Sequence, residues 1–242
     1  MLQVFSKEFS SFLNSLIAYV VIGVFLTAMG LLMWVFPDTS VLEYGYADMD
    51  TLFTLSPYVF IFLVPAITMR SFAEEKRGGT LELLFTKPLS DWDIILGKFF
   101  ASFILVLFAV LPTLIYYYSI YTLGNPAGNL DTPGIIGSYI GLAMLAAAFS
   151  AVGILASSVA PNQIVAFVAA AFLSFFLFSG FDAVSSLSLW SGNALSIKQL
   201  GMLFHYESMS RGLIDSRDLL YFGSVIFLIL ATTKLILSSR QW

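Results

Sequence analysis

Residues 68–98 have the sequence TMRSFAEEKRGGTLELLFTKPLSDWDIILGK and form a charged segment between two long apolar stretches. The segment holds five basic and five acidic residues, although charged residues make up only 11% of the whole chain. Hydrophobic residues make up 59% of the chain, and the mean hydropathy is +0.90. Soluble domains are roughly half apolar and a quarter charged. The composition therefore predicts an integral membrane protein with one prominent charged segment outside the lipid.

The length limits the number of membrane crossings. Because about 20 apolar residues span roughly 30 Å of hydrocarbon, 242 residues allow about six or seven spans and leave no room for a separate catalytic domain. We predict an all-α membrane protein with six transmembrane helices, at about 15–36, 52–69, 97–121, 135–159, 164–180 and 219–237. The chain has no cysteine, which excludes disulfides, thiol catalysis and thiolate metal sites. The small net charge of −4 gives no reason to expect a nucleic-acid partner.

Several spans carry features that predict their packing. Pro57 and Pro65 should kink the second span unless neighbouring groups compensate for their missing amides. The fourth span is rich in Gly, Ala and Ser, which predicts a helix packed against other helices. An outer loop at 181–218 precedes the last span, and its 195–212 stretch is compatible with one or two short helices.

The first 14 residues place Leu2, Phe5, Phe9 and Phe12 at helical spacing. This pattern favours a helix lying in the membrane interface before the first span, and a plain cytosolic extension of that span is the alternative. A cleaved signal peptide is not expected, because the start lacks a basic stretch and the following apolar run is as long as a true span.

The distribution of positive charge predicts the orientation. An even number of crossings puts both termini on one side, and that side collects Lys7, Arg70, Lys76, Arg77, Lys87, Lys98, Lys234 and Arg240. The opposite side has only Lys198, Arg211 and Arg217. By the positive-inside rule, both termini and the charged segment lie in the cytosol, and the acidic loop at 38–50 lies outside.

Local signals divide the charged segment into two parts. Ser90 and Asp93 form a capping box, flanked by Leu89 and Ile94 as a hydrophobic staple, so a helix should begin at about Asp91. Before it, two glycines at 78–79 break the chain, and residues 80–86 can form about two helical turns before Pro88 ends them. Leu81, Leu84 and Phe85 would share one face of that short helix, with Glu82 on the other. Such a helix suits a groove on another protein, and a solvated loop whose leucines rest on the membrane is the alternative.

The charged segment resembles the signature region of ABC-2 type permeases. The likeness rests on the E-E-K-R-x-G-T-L-E-L-L core at 74–84, the T-K-P-L-S stretch at 86–90 and the Gly-Lys pair at 97–98. The whole chain, including S-R-G-L-I-D-S-R-D at 210–218, further resembles the GldF-like family of gliding-motility permeases. The resemblance implies a type V exporter-like fold in the cell inner membrane, where two permease chains, identical or related, work with a separate ABC ATPase.

The same resemblance implies which residues meet the ATPase. Residues 79–85 would form the coupling helix, and the contact would comprise Glu74, Glu75, Lys76, Arg77, Gly79, Thr80, Leu81, Glu82, Leu84 and Phe85. The chain itself has no G-x-x-x-x-G-K-[ST] loop, since Lys98 is followed by Phe99. We therefore expect no catalytic residue, metal or cofactor in this chain, with ATP and Mg bound by the partner subunit.

Two other functional classes compete with an ABC permease. An ion-coupled transporter should carry carboxylates or histidines inside its spans, and apart from Lys234 near a span end the predicted interiors hold no ionisable side chain. An ATPase-coupled assembly factor or anchor without transport remains open. The single histidine, His205, has no nearby Cys or second His, so we interpret it as an ordinary polar residue rather than a metal ligand.

Overall fold

The computed structural model describes residues 1–43, 45, 47–80, 88–187, 192 and 194–239. Every regular element in these ranges is helical. Within the described residues, six helical segments are long and apolar enough to cross a membrane. The predicted all-α membrane architecture is therefore confirmed. The predicted cytosolic tail residues Arg240 and Trp242 lie outside the described ranges.

The first half of the chain supplies a short leading helix, two spans and a connecting helix. These are α1 (Leu2–Leu13), α2 (Leu16–Trp34), α3 (Asp50–Thr68) and the short α4 (Ala73–Arg77). A 3₁₀ turn, Pro37–Thr39, follows α2. The third span is divided into α5 (Asp91–Val110) and α6 (Leu114–Leu123) by a 3₁₀ turn that contains Pro112.

The second half supplies three further spans. They are α7 (Thr132–Val159), then α8 (Gln163–Phe175) with a π-helical turn at Phe176–Gly180 and α9 (Phe181–Ser185), and finally α12 (Ser216–Ser238). Two short helices precede the last span, α10 (Ala194–Lys198) and α11 (Met202–Ser210), as the outer-loop sequence predicts. The fifth helical segment extends to Ser185 rather than Gly180, because the π turn carries the helix onward.

The predicted capping box forms at the start of α5. The Ser90 hydroxyl accepts from the Asp93 main-chain N–H at 3.2 Å, and the Ser90 N–H donates to the Asp93 carboxylate at 3.2 Å. The helix begins at Asp91 because this reciprocal pair satisfies main-chain donors that would otherwise lack partners.

The central helix of the bundle is α7, which packs against α3, α5, α8, α11 and α12. Its small residues permit this close packing. A Cβ at Gly141 would come within 2.9 Å of the Tyr206 ring, and one at Gly153 would collide with Thr68. The prediction that the fourth span is packed among other helices is confirmed.

The two prolines of α3 do not interrupt that helix. Pro57 has no N–H, so it cannot pair with the carbonyl of Phe53 one turn earlier. The hydroxyl of Tyr206, from α11, donates to this carbonyl at 2.6 Å instead. The neighbouring helix thus compensates for the amide that is missing at Pro57.

The leading helix α1 packs along α5, where Val4 covers Gly97. Its buried residues are Val4 and Phe12, while Leu2 is 73% exposed. The helix is rotated to place residues 4, 8 and 12 toward the bundle, so Leu2 lies off its packed face.

The outer faces of α2, α8 and α12 are apolar and exposed. They carry Val20, Val24, Val168, Phe172, Leu228 and Leu235, each more than half exposed. Apolar surface of this extent suits hydrocarbon rather than water. The bundle has two ends, called the charged end and the far end. The charged end holds α4, the start of α5 and the end of α7, and the far end holds the start of α3, α11 and the start of α12.

Candidate functional site

The short helix α4 is attached at its beginning to the end of α7. The hydroxyl of Ser157 accepts from the main-chain N–H groups of Phe72 and Ala73 at 2.9 and 3.0 Å. The same hydroxyl donates to the carbonyl of Met69 at 3.0 Å. A single side chain therefore connects the end of α3, the start of α4 and α7.

A second attachment to α7 comes from Lys76. Its ammonium donates to the carbonyls of Ser158 and Ala160, the latter at 3.4 Å. These carbonyls lie at the carboxyl end of α7, where helix carbonyls lack intrahelical partners and carry partial negative charge. Lys76 thus caps α7 and holds α4 against it.

The third attachment is an ion cluster centred on Lys98, at the start of the third span. Lys98 is only 2% exposed. Its ammonium lies 2.9 Å from Glu75 Oε1 on α4 and 3.0 Å from Glu8 Oε1 on α1. It also lies 5.2 Å from the centre of the Phe72 ring, within the range of a cation–π contact. Three separate elements, α1, α4 and α5, therefore meet at one buried charge.

The buried members of this cluster depend on one another's charges. A buried ammonium requires nearby carboxylates, and removing one partner leaves an uncompensated charge. Lys7 lies farther out, 66% exposed and 3.6 Å from Glu8, so it adds a screened contact. The second carboxylate oxygen of Glu75 is buried and has no hydrogen-bond partner among the described residues.

Arg70 closes the site on the side of α2. Its guanidinium donates to the Ser15 hydroxyl at 3.1 Å and lies over the Phe12 ring at 5.4 Å. Between these residues and Lys98 lies a cavity of about 240 Å³, which is lined by both basic and acidic side chains. The end of α3 is thereby joined to the junction between α1 and α2.

The other face of α4 points away from the bundle. Glu74 and Arg77 are exposed, and so are Gly79 and Thr80. The helix ends at Arg77, and Gly79 follows with φ +65°, a conformation that glycine adopts without a steric penalty. The predicted break after α4 is confirmed. The remaining predicted contact residues Leu81, Glu82, Leu84 and Phe85 lie outside the described residues.

The structure thus separates the four charged residues that were predicted together at an ATPase contact. Glu75 and Lys76 turn inward and fasten α4 to α1, α5 and α7. Glu74 and Arg77 turn outward and are available to a partner. This division makes α4 a helix with one anchored face and one free face.

Sequence reasoning did not assign a role to Lys98 or Glu8. A signal was present in both helices. Lys98 lies at helical spacing between buried Ile94 and Ala101, and Glu8 lies one turn from both Val4 and Phe12. A charge in the middle of an apolar stripe indicates a buried, paired group.

A family model described as ABC-2 family transporter protein matches residues 2–207. The match includes α1, α4 and the whole ion cluster. No curated protein matches the chain. The family description is no finer than this, so the narrower likeness to gliding-motility permeases stays a prediction.

Proposed function

The chain belongs to the ABC-2 family of transporter proteins, and we propose that its ATPase partner docks on the charged end. By displacing α4, the ATPase would then move the membrane spans. Membership of the family makes the chain a membrane permease subunit of an ABC transporter, with an ABC ATPase as partner. ATP and Mg bind to that partner, and this chain supplies the docking surface and the path through the membrane.

The observation that supports this proposal is the two-sided character of α4. An ATPase that contacts Glu74, Arg77 and the segment after Gly79 would press on the exposed face. The opposite face is held by Ser157, Lys76 and Glu75. Because those contacts reach α7, α5 and α1, a displacement of α4 would be felt by three elements of the bundle together.

The finer parts of the proposal follow the charge distribution and the family. Both termini and the charged end face the cytosol, in a cell inner membrane, and a second copy or a related permease chain completes the transporter. The transported cargo serves gliding motility or export. ATP hydrolysis would move the docking segments of the two permeases relative to each other, and the spans would rearrange in response.

The docking part of the proposal is tested with charged substitutions at Leu84 and Phe85. If residues 80–86 form a helix seated in an ATPase groove, Leu84→Asp or Phe85→Asp places a charge in a desolvated contact, at a cost of several kcal/mol. Recovery of the ATPase with the tagged permease should then fall by roughly 100-fold or more. The melting temperature of the detergent-solubilised permease should be unchanged.

The matched control is Ser10→Asp, which adds the same charge on an exposed position of α1 at the same end. This variant should recover the ATPase as well as the unmodified protein does. Undiminished recovery with both Leu84→Asp and Phe85→Asp would overturn the docking assignment and favour leucines that rest on the membrane surface.

A further inference from the structure

The single histidine of the chain makes an unusual pair of contacts at the far end. The Nδ1 atom of His205, on α11, lies 2.7 Å from Asp218 Oδ1 in the first turn of α12. Its Nε2 atom lies 2.9 Å from the main-chain carbonyl of Gln199. Asp218 is 5% exposed, and the imidazole stacks on the Tyr221 ring with centres 3.8 Å apart. His205 therefore joins α11, α12 and the connection before α11.

Both partners of the imidazole are hydrogen-bond acceptors in their usual forms. A main-chain carbonyl can only accept, so Nε2 must carry a proton for that bond to exist. The contact between Nδ1 and Asp218 requires another proton, on one of the two atoms. A neutral imidazole beside an ionised carboxylate has only one proton for these two bonds. We propose that His205 and Asp218 form a proton-binding site whose occupancy holds α11 against α12 and against the chain before it.

Loss of the proton has a defined structural consequence. The remaining proton favours the bond to the Asp218 carboxylate, because hydrogen bonds to a charged acceptor are stronger. The Nε2 lone pair then faces the Gln199 carbonyl, and that contact becomes repulsive. The adjacent bond from the Tyr221 hydroxyl to the Leu200 carbonyl, at 2.6 Å, keeps the segment in place. The proton-free form is therefore looser at the start of α11 without being unfolded.

The position of α11 matters because this helix forms one wall of a cavity of about 370 Å³ at the far end. Its lining includes Glu207 and Arg211 on the α11 side, and Asp50 and Tyr58 of α3. A proton bound at His205 and Asp218 holds that wall in place, and its loss lets the wall move. Acid conditions should fix the wall of the cavity, and alkaline conditions should loosen it.

Other titratable and charged groups lie around the pair. Lys198 pairs with Asp182 at 2.9 Å, and this carboxylate holds the pKa of the ammonium above its usual value. Other charged residues lie near the pair in the sequence: Glu207 on α11, Arg211 and Asp215 in the connection to α12, and Arg217 on α12. The titratable side chain of α7 is Tyr139, whose hydroxyl lies 3.0 Å from the Thr113 hydroxyl. The π turn at Phe176–Gly180 has no titratable side chain.

Thermal melting of the full chain in detergent tests the site, independently of any ATPase. The melting temperature of the unmodified protein should be about 2–4 °C lower at alkaline pH than at acid pH, the effect of losing about one hydrogen bond. His205→Gln should remove this dependence.

Two variants separate a proton site from a merely structural contact. In Asp218→Asn the amide can donate to Nδ1 while Nε2–H still donates to Gln199, so a neutral pair keeps both bonds. This variant should melt near the acid value of the unmodified protein at every pH. Lys198→Gln removes a nearby charge and should keep the pH dependence. An unmodified protein whose melting temperature follows the same pH course as His205→Gln would overturn the proposal.

Because the chain has one histidine, nitrogen NMR of protein labelled with ¹⁵N-histidine observes this site alone, provided that purification uses no polyhistidine tag. The Nε2 atom should carry a proton where the melting temperature is high and lose it as the melting temperature falls. An Nε2 atom that keeps its proton through this change would contradict the proposal.

Discussion

The two ends of the bundle are held together by different chemistry. At the charged end, one buried ammonium, that of Lys98, pairs with carboxylates from two other elements. At the far end, α11 is held by the contact between His205 and Asp218 and by the hydroxyl of Tyr206, which donates to a main-chain carbonyl. The first end is centred on one buried ammonium shared by three elements, whereas the contacts at the second are separate from one another.

This difference indicates how each end responds to force. Separating a buried charge from its partner costs about 3–5 kcal/mol, whereas a typical hydrogen bond contributes about 1 kcal/mol. The charged end should therefore move as one unit when a partner displaces α4. The far end should yield first, because each of its contacts can be lost separately.

The largest effect is expected from Lys98→Met, which keeps the length of the side chain and removes its charge. Glu8 and Glu75 would then face each other without the ammonium, at a cost of about 3–5 kcal/mol. The melting temperature in detergent should fall by roughly 10 °C.

The control for this variant lies in the same cluster. Lys7→Met removes an ammonium that is 66% exposed and 4.0 Å from Glu75. Because exposed ion pairs contribute about 0–1 kcal/mol, its melting temperature should stay close to that of the unmodified protein. Equal losses in both variants would show that the buried position of Lys98 gives it no special role.

A smaller loss is expected at the far end from Tyr206→Phe. The variant removes the hydroxyl that donates to the Phe53 carbonyl, and a buried carbonyl without a partner costs about 1–3 kcal/mol. Pro57→Ala restores a main-chain N–H that can pair with this carbonyl. The hydroxyl should therefore matter less in the Pro57→Ala background, and melting of the two single variants and the double variant measures the difference. Strict additivity would contradict the compensation described for α3.

Local sequence signals were enough to predict much of the fold. The capping box at Ser90, the break at Gly79 and the packed fourth span depend on neighbours within one helix turn or on composition, and the structure contains all three. The inward turn of Glu75 could not be predicted in this way. Its partner Lys98 lies 23 positions later in the chain, and a helical pattern does not report which helices meet.

The same limitation applies to α3. Whether a neighbour compensates for a proline cannot be predicted from local chemistry, since the tyrosine that pairs with the Phe53 carbonyl is 153 positions away. The orientation of the N-terminal helix likewise depends on contacts with other elements. Leu2 satisfies the apolar spacing and is exposed, because α1 is oriented by Val4 on Gly97 and by Glu8 on Lys98.

A test without any expected effect on stability asks whether the two ends lie on opposite sides of the membrane. The chain is free of cysteine, so single cysteines at Glu43 and Arg77, both exposed, report their own accessibility. An impermeant thiol reagent applied to intact cells should label Glu43→Cys and leave Arg77→Cys unlabelled until the cells are opened. Labelling of both from one side would refute the six-span topology.

The central claim is that an ATPase binds the free face of α4. The most direct measurement is to isolate the tagged protein from native membranes and to identify every subunit. We predict that an ATPase subunit with a nucleotide-binding loop is recovered with the unmodified chain. Its recovery should fall several-fold with the double variant Glu74→Ala and Arg77→Ala, while the melting temperature of the permease is unchanged. Recovery of the permease without any ATPase, or full recovery with the double variant, would contradict the account.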